Sequence, residues 1–300
     1  MEASTCEETF DLQDDVTVTG EGAAHTVING NVFAIDIAGA RLSNVTVTDA
    51  DTTGIHCYDS QLTLTNAIVR DQPHNGIHAS NCDLIARNNT FAWNGDSGIN
   101  LLPGSRATVE NNVFAGNAVF GLIGYGTATL LQYNDFWANG VGPFTDEFTA
   151  GVGNLYLDPP FINDTDLRYV GGSPCIHAGN PDPAFNNSDG TRNTMGVYGG
   201  PYSLIDPVAD DDADGVLDED DWCPGTVLPD VAPQLKPSRY WVTESGDFVS
   251  DAPNAPTYSM ADTAGCSASQ IIDELGLGGG HARFGLSRSA LEQWIDAVGS

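Results

Sequence analysis

The chain is expected to be all-β: a parallel β-solenoid with its closing segment over residues 1–202, an acidic calcium-loop connector over 203–235, and a small α+β module over 236–300. Three observations predict this. A repeat of 22 or 23 residues runs through the first half, an acidic stretch near residue 215 has calcium-loop spacing, and helical periodicity appears only after residue 265.

Residues 54 to 140 align with themselves as GIHCYDSQLTLTNAIVRDQPHN, GIHASNCDLIARNNTFAWNGDS, GINLLPGSRATVENNVFAGNAVF and GLIGYGTATLLQYNDFWANG, with glycines at 54, 76, 98 and 121. Gaps of the same size relate Asn44, Asn66, Asn88, Asn111 and Asn134, and three residues after the last four come Val69, Phe91, Phe114 and Trp137. Each unit holds short alternating runs such as LTLT or ATVE between polar turns, which is one coil of a solenoid. The units lack both the pattern of a leucine-rich repeat and a helical period. Stacking then makes an inward ladder of Ile55, Ile77, Ile99 and Leu122, and a turn column of asparagines whose amides bond along the axis.

These repeats resemble the right-handed parallel β-helix proteins of the pectate-lyase-like class. Residues 21 to 53 read as one or two earlier, less regular coils. NLYLDPPFI, GGSPCIHAGNPDPAF and NNSDGTRNTMGVYGGP resemble the closing segment of secreted bacterial members and end the β-helix near Tyr202.

With 41 acidic and 10 basic residues the formal net charge is −31, His counted neutral. Nucleic acid and anionic membrane surfaces are expected to be poor partners, because they need clusters of Lys and Arg, while divalent cations are favoured. No apolar run approaches the roughly 20 residues of a membrane span. Cys6, Cys57, Cys82, Cys175, Cys223 and Cys266 lie far apart, without zinc or redox spacing, which suits an oxidising compartment. The expected location is secreted or cell-surface. The start, MEASTCEETFDLQDD, has no basic or apolar leader segment, so a leader has been removed or the chain is part of a longer protein.

The run DDDADGVLDEDDWC places oxygen ligands at calcium-loop positions 1, 3, 5, 7, 9 and 12 as Asp210, Asp212, Asp214, the Val216 carbonyl, Asp218 and Asp221, with Gly215 at position 6. So many carboxylates in one turn repel each other without a cation, so Ca²⁺ and the local fold are expected to be coupled. With Trp222 and Cys223 following, the stretch resembles a thrombospondin type 3 repeat. A weaker second site is Asp182, Asn187 and Asp189, which Asx-turn chemistry also explains.

After Lys236 the alternation suggests a small β element, then CSASQIIDELGL and LSRSALEQWIDAVG read as two helices joined by a GLGGGH turn. Ser267 and Gln270 form a capping box, and Leu291, Trp294, Ile295 and Val298 make one apolar stripe. The run from Asp262 to Ile295 resembles a terminal module that follows calcium repeats in bacterial secreted proteins. That resemblance implies one lost disulfide, at Ala268 and Leu286, and a surviving Cys223–Cys266 bridge; the pairing of Cys6, Cys57, Cys82 and Cys175 stays open.

The resemblance also directs a search to the outer face of one sheet. Catalytic candidates there are His56, His78, His74 and Asp96; ligand-binding candidates are Tyr58, Asn100 and Tyr125. The repeats show no NTD or DD motif, and no Arg is evident beside several carboxylates on the outward columns. Arg87 and Glu110 read as a surface cross-coil ion pair. The expected function is therefore non-catalytic binding of glycan or another surface, with a polysaccharide lyase, hydrolase or epimerase as one alternative and a structural spacer as another.

Overall fold

Alternation within each 22- or 23-residue unit fixes three short strands, and each stacks in parallel on its counterpart one coil away. In one coil these are Ile55–Tyr58 in sheet B, Gln61–Thr65 in sheet C and Ile68–Arg70 in sheet A. Sheets A and B have seven strands and sheet C six. The computed structural model describes residues 4–6, 9–125, 128–170, 172–204, 214–216 and 220–298, in two compact units, Met1–Pro207 and Val208–Ser300.

In the first unit, Ile55, Ile77, Ile99 and Leu122 align in sheet B and are fully buried, as the repeat requires. Phe91, Phe114 and Phe136 stack face to face inside sheet A, with centroids 4.9 and 4.8 Å apart. The fourth member of this column, after Val69, Phe91 and Phe114, is thus Phe136; Trp137 points outward and is 39% exposed.

The turns explain why strands so short hold their register. Between sheets C and A, Asn44, Asn66, Asn88 and Asn111 adopt left-handed backbone, φ 51° to 59°, which Asn tolerates better than most residues. The axial amide ladder is formed by the next column, not by these residues. The backbone N–H groups of Ala67, Asn89, Asn112 and Asn134 donate to the Oδ1 of Asn89, Asn112, Asn134 and Asn154 respectively. Asn112 Nδ2 also donates to Ala86 O and Asn134 Oδ1. A second ladder of Gln72, Asn94, Asn117 and Asn139 runs between sheets A and B.

Asn134 therefore belongs to the inner ladder, and Tyr133 takes the left-handed position, φ 53°. The sequence alignment carried a 23-residue gap too far. Ile99 pairs with Leu122, 23 residues on, but Arg106 pairs with Ala128, 22 on, so the register shifts by one before the next turn.

The left-handed asparagines instead hold the closing segment. Asn66 Nδ2 donates to Val197 O and Gly199 O, Asn88 Nδ2 to Thr194 O, and Asn111 Oδ1 accepts from Asn180 N–H. The segment lays Leu167, Val197 and Tyr198 over Ile68 and Ala92, and Tyr169, Cys175 and Met195 over Val113 and Ala115, covering the outer face of sheet A. Glu110 is only 2% exposed and bonded to Arg87, Gln132 and Asn180, so the carboxylate of this ion pair is buried, while the Arg87 side chain keeps 37% exposure. Cys57 and Cys82 form a disulfide between consecutive coils in the core.

At the last coil a carboxyl is trapped under this cover. Asp135 is fully buried, accepting from Leu157 N–H and from the Cys175 thiol at 3.4 Å. Burial raises its pKa to about 6.

The second unit has an antiparallel sheet of Tyr240–Val242, Asp247–Ser250 and Tyr258–Ser259, followed by helices α1 (Ala268–Glu274), α2 (Gly279–Phe284) and α3 (Arg288–Val298). The Ser267–Gln270 capping box is present, and Leu291 and Trp294 pack with Tyr240, Val242 and Phe248. The sequence reading missed α2, whose opening glycines conceal the helix-forming HARF that follows. Cys223 and Cys266 are bonded.

Replacing Asn112 with Ala strands the Asn89 N–H and the Ala86 carbonyl in the core. At about 1–3 kcal/mol per unsatisfied group, urea unfolding should show a loss of roughly 2–6 kcal/mol, against little change for an exposed-site control. Asp135 gives a pH signature. Its pKa is raised on folding, so the protonated carboxyl favours the native state; that contribution is whole below the unfolded value near 3.8 and lost as pH climbs through about 6. The Asp135→Asn variant should flatten the stability profile between pH 4 and 6, as read from melting temperatures across that range.

Candidate ligand face on sheet B

Residues that alternate outward on sheet B form a column of Phe33, His56, His78 and Asn100 across four coils. Tyr58 stands two residues after His56 on the same face. Strand stacking brings these rings together. Phe33 and His56 stack with centroids 4.7 Å apart and planes 10° from parallel. The Tyr58 hydroxyl lies 3.0 Å from His56 Nδ1, and its ring meets His78 edge-on at 5.8 Å.

Burial favours the uncharged forms of the imidazoles and the phenol in this patch. Burial and the neighbouring His78 hold the His56 pKa below the usual imidazole value. Burial does the same at His78, although the Asp96 carboxylate opposes it. Burial raises the Tyr58 hydroxyl. Beside His78 in the register, Asn100 has a buried Oδ1 without a hydrogen-bond partner.

The other candidates scatter. His74 is exposed at a turn, and its carbonyl accepts from Asp96 N–H. The Asp96 carboxylate accepts from its neighbour Ser97, so it acts on His78 through charge. Tyr125 is 51% exposed and follows Gly124, the register partner of Leu101, which puts it three coils along the Tyr58 column. At about 4.8 Å per coil, the two tyrosines are roughly 14 Å apart along the axis.

At the turns from sheet B to sheet C lies a concavity of about 590 Å³, lined by Asp14, Asp36, Asp59, Asp83, Asn81 and Arg106. The expectation of no Arg beside several carboxylates concerned the outward columns of a sheet; at these turns Arg106 does accompany them. Asp83 pairs with Arg106 across a 23-residue gap, and the spacing of Asp36, Asp59 and Asn81 was a readable turn column. Asn81 Nδ2 donates to Asp59 Oδ1 at 2.6 Å. Asp96 is not among the lining residues.

A model of the family described as right handed beta helix region matches residues 53–152. The first unit is a β-helix of stacked repeats. No curated protein and no solved structure matches the chain.

Outside the β-helix, Asp210, Asp212 and Asp218 of the calcium-loop reading lie outside the described residues. Of the remainder, Asp214 Oδ1 accepts from Val216 N–H, Gly215 has φ 92°, and Asp221 Oδ1 accepts from Cys223 N–H. In the closing segment of the β-helix, Asp182 accepts from Ala184 N–H, Asp189 from Thr191, and Asn187 from the N–H groups of Thr194 and Gly200. Turn chemistry therefore occupies those oxygens. Among the described residues no three His, Cys, Asp or Glu side chains group as a metal site, and no helix is long and apolar enough to cross a membrane.

Proposed function

We propose that this β-helix protein binds glycan, in a secreted or cell-surface setting, through the outer face of sheet B and without catalysis. The observation that carries the reading is the patch of Phe33, His56, Tyr58 and His78, beside the unpartnered Asn100 Oδ1. Ring faces attract the C–H face of a pyranose, and the imidazole, phenol and amide groups supply hydrogen bonds to hydroxyls. The net charge of −31 disfavours polyanionic ligands such as pectate. Two disulfides suit an extracellular location.

In the connector, Ca²⁺ is the structural ion of this reading, held by Asp210, Asp212, Asp214, the Val216 carbonyl, Asp218 and Asp221 in the manner of a thrombospondin type 3 repeat. The positive φ of Gly215 suits the sharp turn such a loop needs at its sixth position.

The acid-lined concavity with Arg106 favours a second reading, a polysaccharide lyase or hydrolase, because carboxylates beside a guanidinium offer acid–base groups. New reducing ends or unsaturated products from a polysaccharide panel, abolished in Asp59→Asn, would replace the binding reading with the catalytic one.

Under the binding reading, Tyr58→Ala should weaken glycan affinity by about ten-fold or more, measured by calorimetry against whichever oligosaccharide of a glycan array is retained. Binding should persist at neutral pH and decline only on acidification below the ordinary imidazole range, since the depressed pKa values of His56 and His78 delay their protonation. For the connector, calorimetry should show saturable Ca²⁺ binding that Asp212→Ala with Asp214→Ala abolishes, and chelator should lower the melting temperature of the wild type alone.

A further inference from the structure

On the far side of the β-helix, a cleft of about 410 Å³ opens where the turns between sheets A and B meet the closing segment. Its floor is made of small residues, Ala115 and Gly116, and tryptophans from the coils on either side, Trp93 and Trp137, line it. The floor has to be small. A Cβ at Gly116 would lie 2.7 Å from Cδ1 and 3.0 Å from Nε1 of Trp93.

Trp93 itself occupies an unusual place. Its turn position is left-handed in each coil, held by Asp49, Asp71, Gly116 and Ala138 elsewhere, and only here by an indole, at φ 54°. A bulky residue in that conformation is strained, and strain of this kind collects at functional sites. The ring is also held in place. The Arg70 guanidinium sits 4.8 Å from its centroid, and Phe161 meets it edge-on at 6.3 Å. Arg70 donates in addition to Asp164 O, so one side chain ties the indole to the loop that forms the cleft's rim.

That rim carries Asp158, Asn163 and Asp164. Asn163 commits its Oδ1 to Thr165 and Asp166, leaving its Nδ2 with no partner among the described residues. The cleft thus combines aromatic rings, two carboxylate acceptors and an amide donor, and no Lys or Arg lines it. The nearest cation, Arg70, is committed to Asp71, the Asp164 carbonyl and the Trp93 ring, so the cleft disfavours phosphate, sulfate or uronate. A quaternary ammonium would satisfy the rings and carboxylates but has no acceptor for the amide. Hydroxyl groups both donate and accept, and a pyranose ring offers a C–H face to an indole.

We propose that this cleft is a second carbohydrate site, taking a neutral hexopyranose unit of an oligosaccharide with Trp137 as its exposed platform. The inference rests on the glycan reading above but places a separate subsite on a different face of the β-helix. Sequence reasoning passed over it because Trp137 was aligned with Val69, Phe91 and Phe114, one residue out of register, and the path of the closing segment has no period.

The test titrates the full chain with short neutral gluco-, xylo- and manno-oligosaccharides, with tetramethylammonium chloride and with oligogalacturonate, by tryptophan fluorescence and calorimetry. Wild type is compared with Trp137→Ala, Trp137→Phe and Tyr58→Ala, each checked for unchanged circular dichroism. The expected result is two classes of site for a neutral oligosaccharide, with Trp137→Ala weakening one by about ten-fold or more, Trp137→Phe retaining part of it, and Tyr58→Ala removing only the other. Binding unchanged in Trp137→Ala but lost in Tyr58→Ala overturns this inference and leaves the sheet B reading standing. Loss in Trp137→Ala with no effect of Tyr58→Ala does the reverse. Preference for tetramethylammonium or oligogalacturonate at Trp137 overturns the assigned ligand class, and absence of binding to every sugar overturns both sites.

Discussion

Everything in the β-helix depends on satisfying polar groups inside its turns. Strands of three to five residues cannot set their own register, and the chain must turn three times per coil with backbone N–H and C=O groups facing the core. The amide columns of Asn89, Asn112, Asn134 and Asn154, and of Gln72, Asn94, Asn117 and Asn139, answer this by accepting from the coil below and donating to its carbonyls. An amide carries both donor and acceptor, so at these two of the three turns one side chain serves both needs, while serine hydroxyls accept at the third. A slip of one residue would break each of these bonds and also turn the aliphatic ladder outward.

Fixed register is what gives the exterior its chemistry. Because the coils stack in one-to-one alignment, residues 22 or 23 apart become neighbours, and rings distant in sequence assemble into one surface on sheet B. The closing segment breaks the equivalence of the three faces. It covers sheet A, anchored by the left-handed asparagines, and by ending that cover near Trp137 it creates a cleft that repetition alone would not make. Repeats thus furnish platforms, and the non-repeating segment furnishes enclosure.

The sequence revealed what is periodic and concealed what is not. Gly54, Gly76 and Gly98 and the Ile55 ladder gave the coil length and the inward face directly, since each column recurs in phase. The same logic failed at Asn134 and Trp137, where a coil spacing that changes from 23 to 22 residues within one turn shifted two columns by a residue. It also missed the destination of residues 155–201, whose contacts join positions more than 100 apart, such as Asn66 with Val197. Arg106 escaped notice because the carboxylates that line the concavity with it come from four other coils. His56, His78 and Tyr58 were read correctly as outward, but their mutual contacts depend on ring orientations that alternation does not specify.

The most direct test of this account is hydrogen exchange of individual backbone amides in the native protein. If the ladders hold the coils, the N–H groups of Ala67, Asn89 and Asn112, which donate to ladder oxygens, should exchange as slowly as the core amides of Ile77 and Ile99, only through global unfolding. Exchange at those turn amides as fast as in the exposed loops, with the sheets still protected, would mean that the strands keep register without the ladders and would contradict the account.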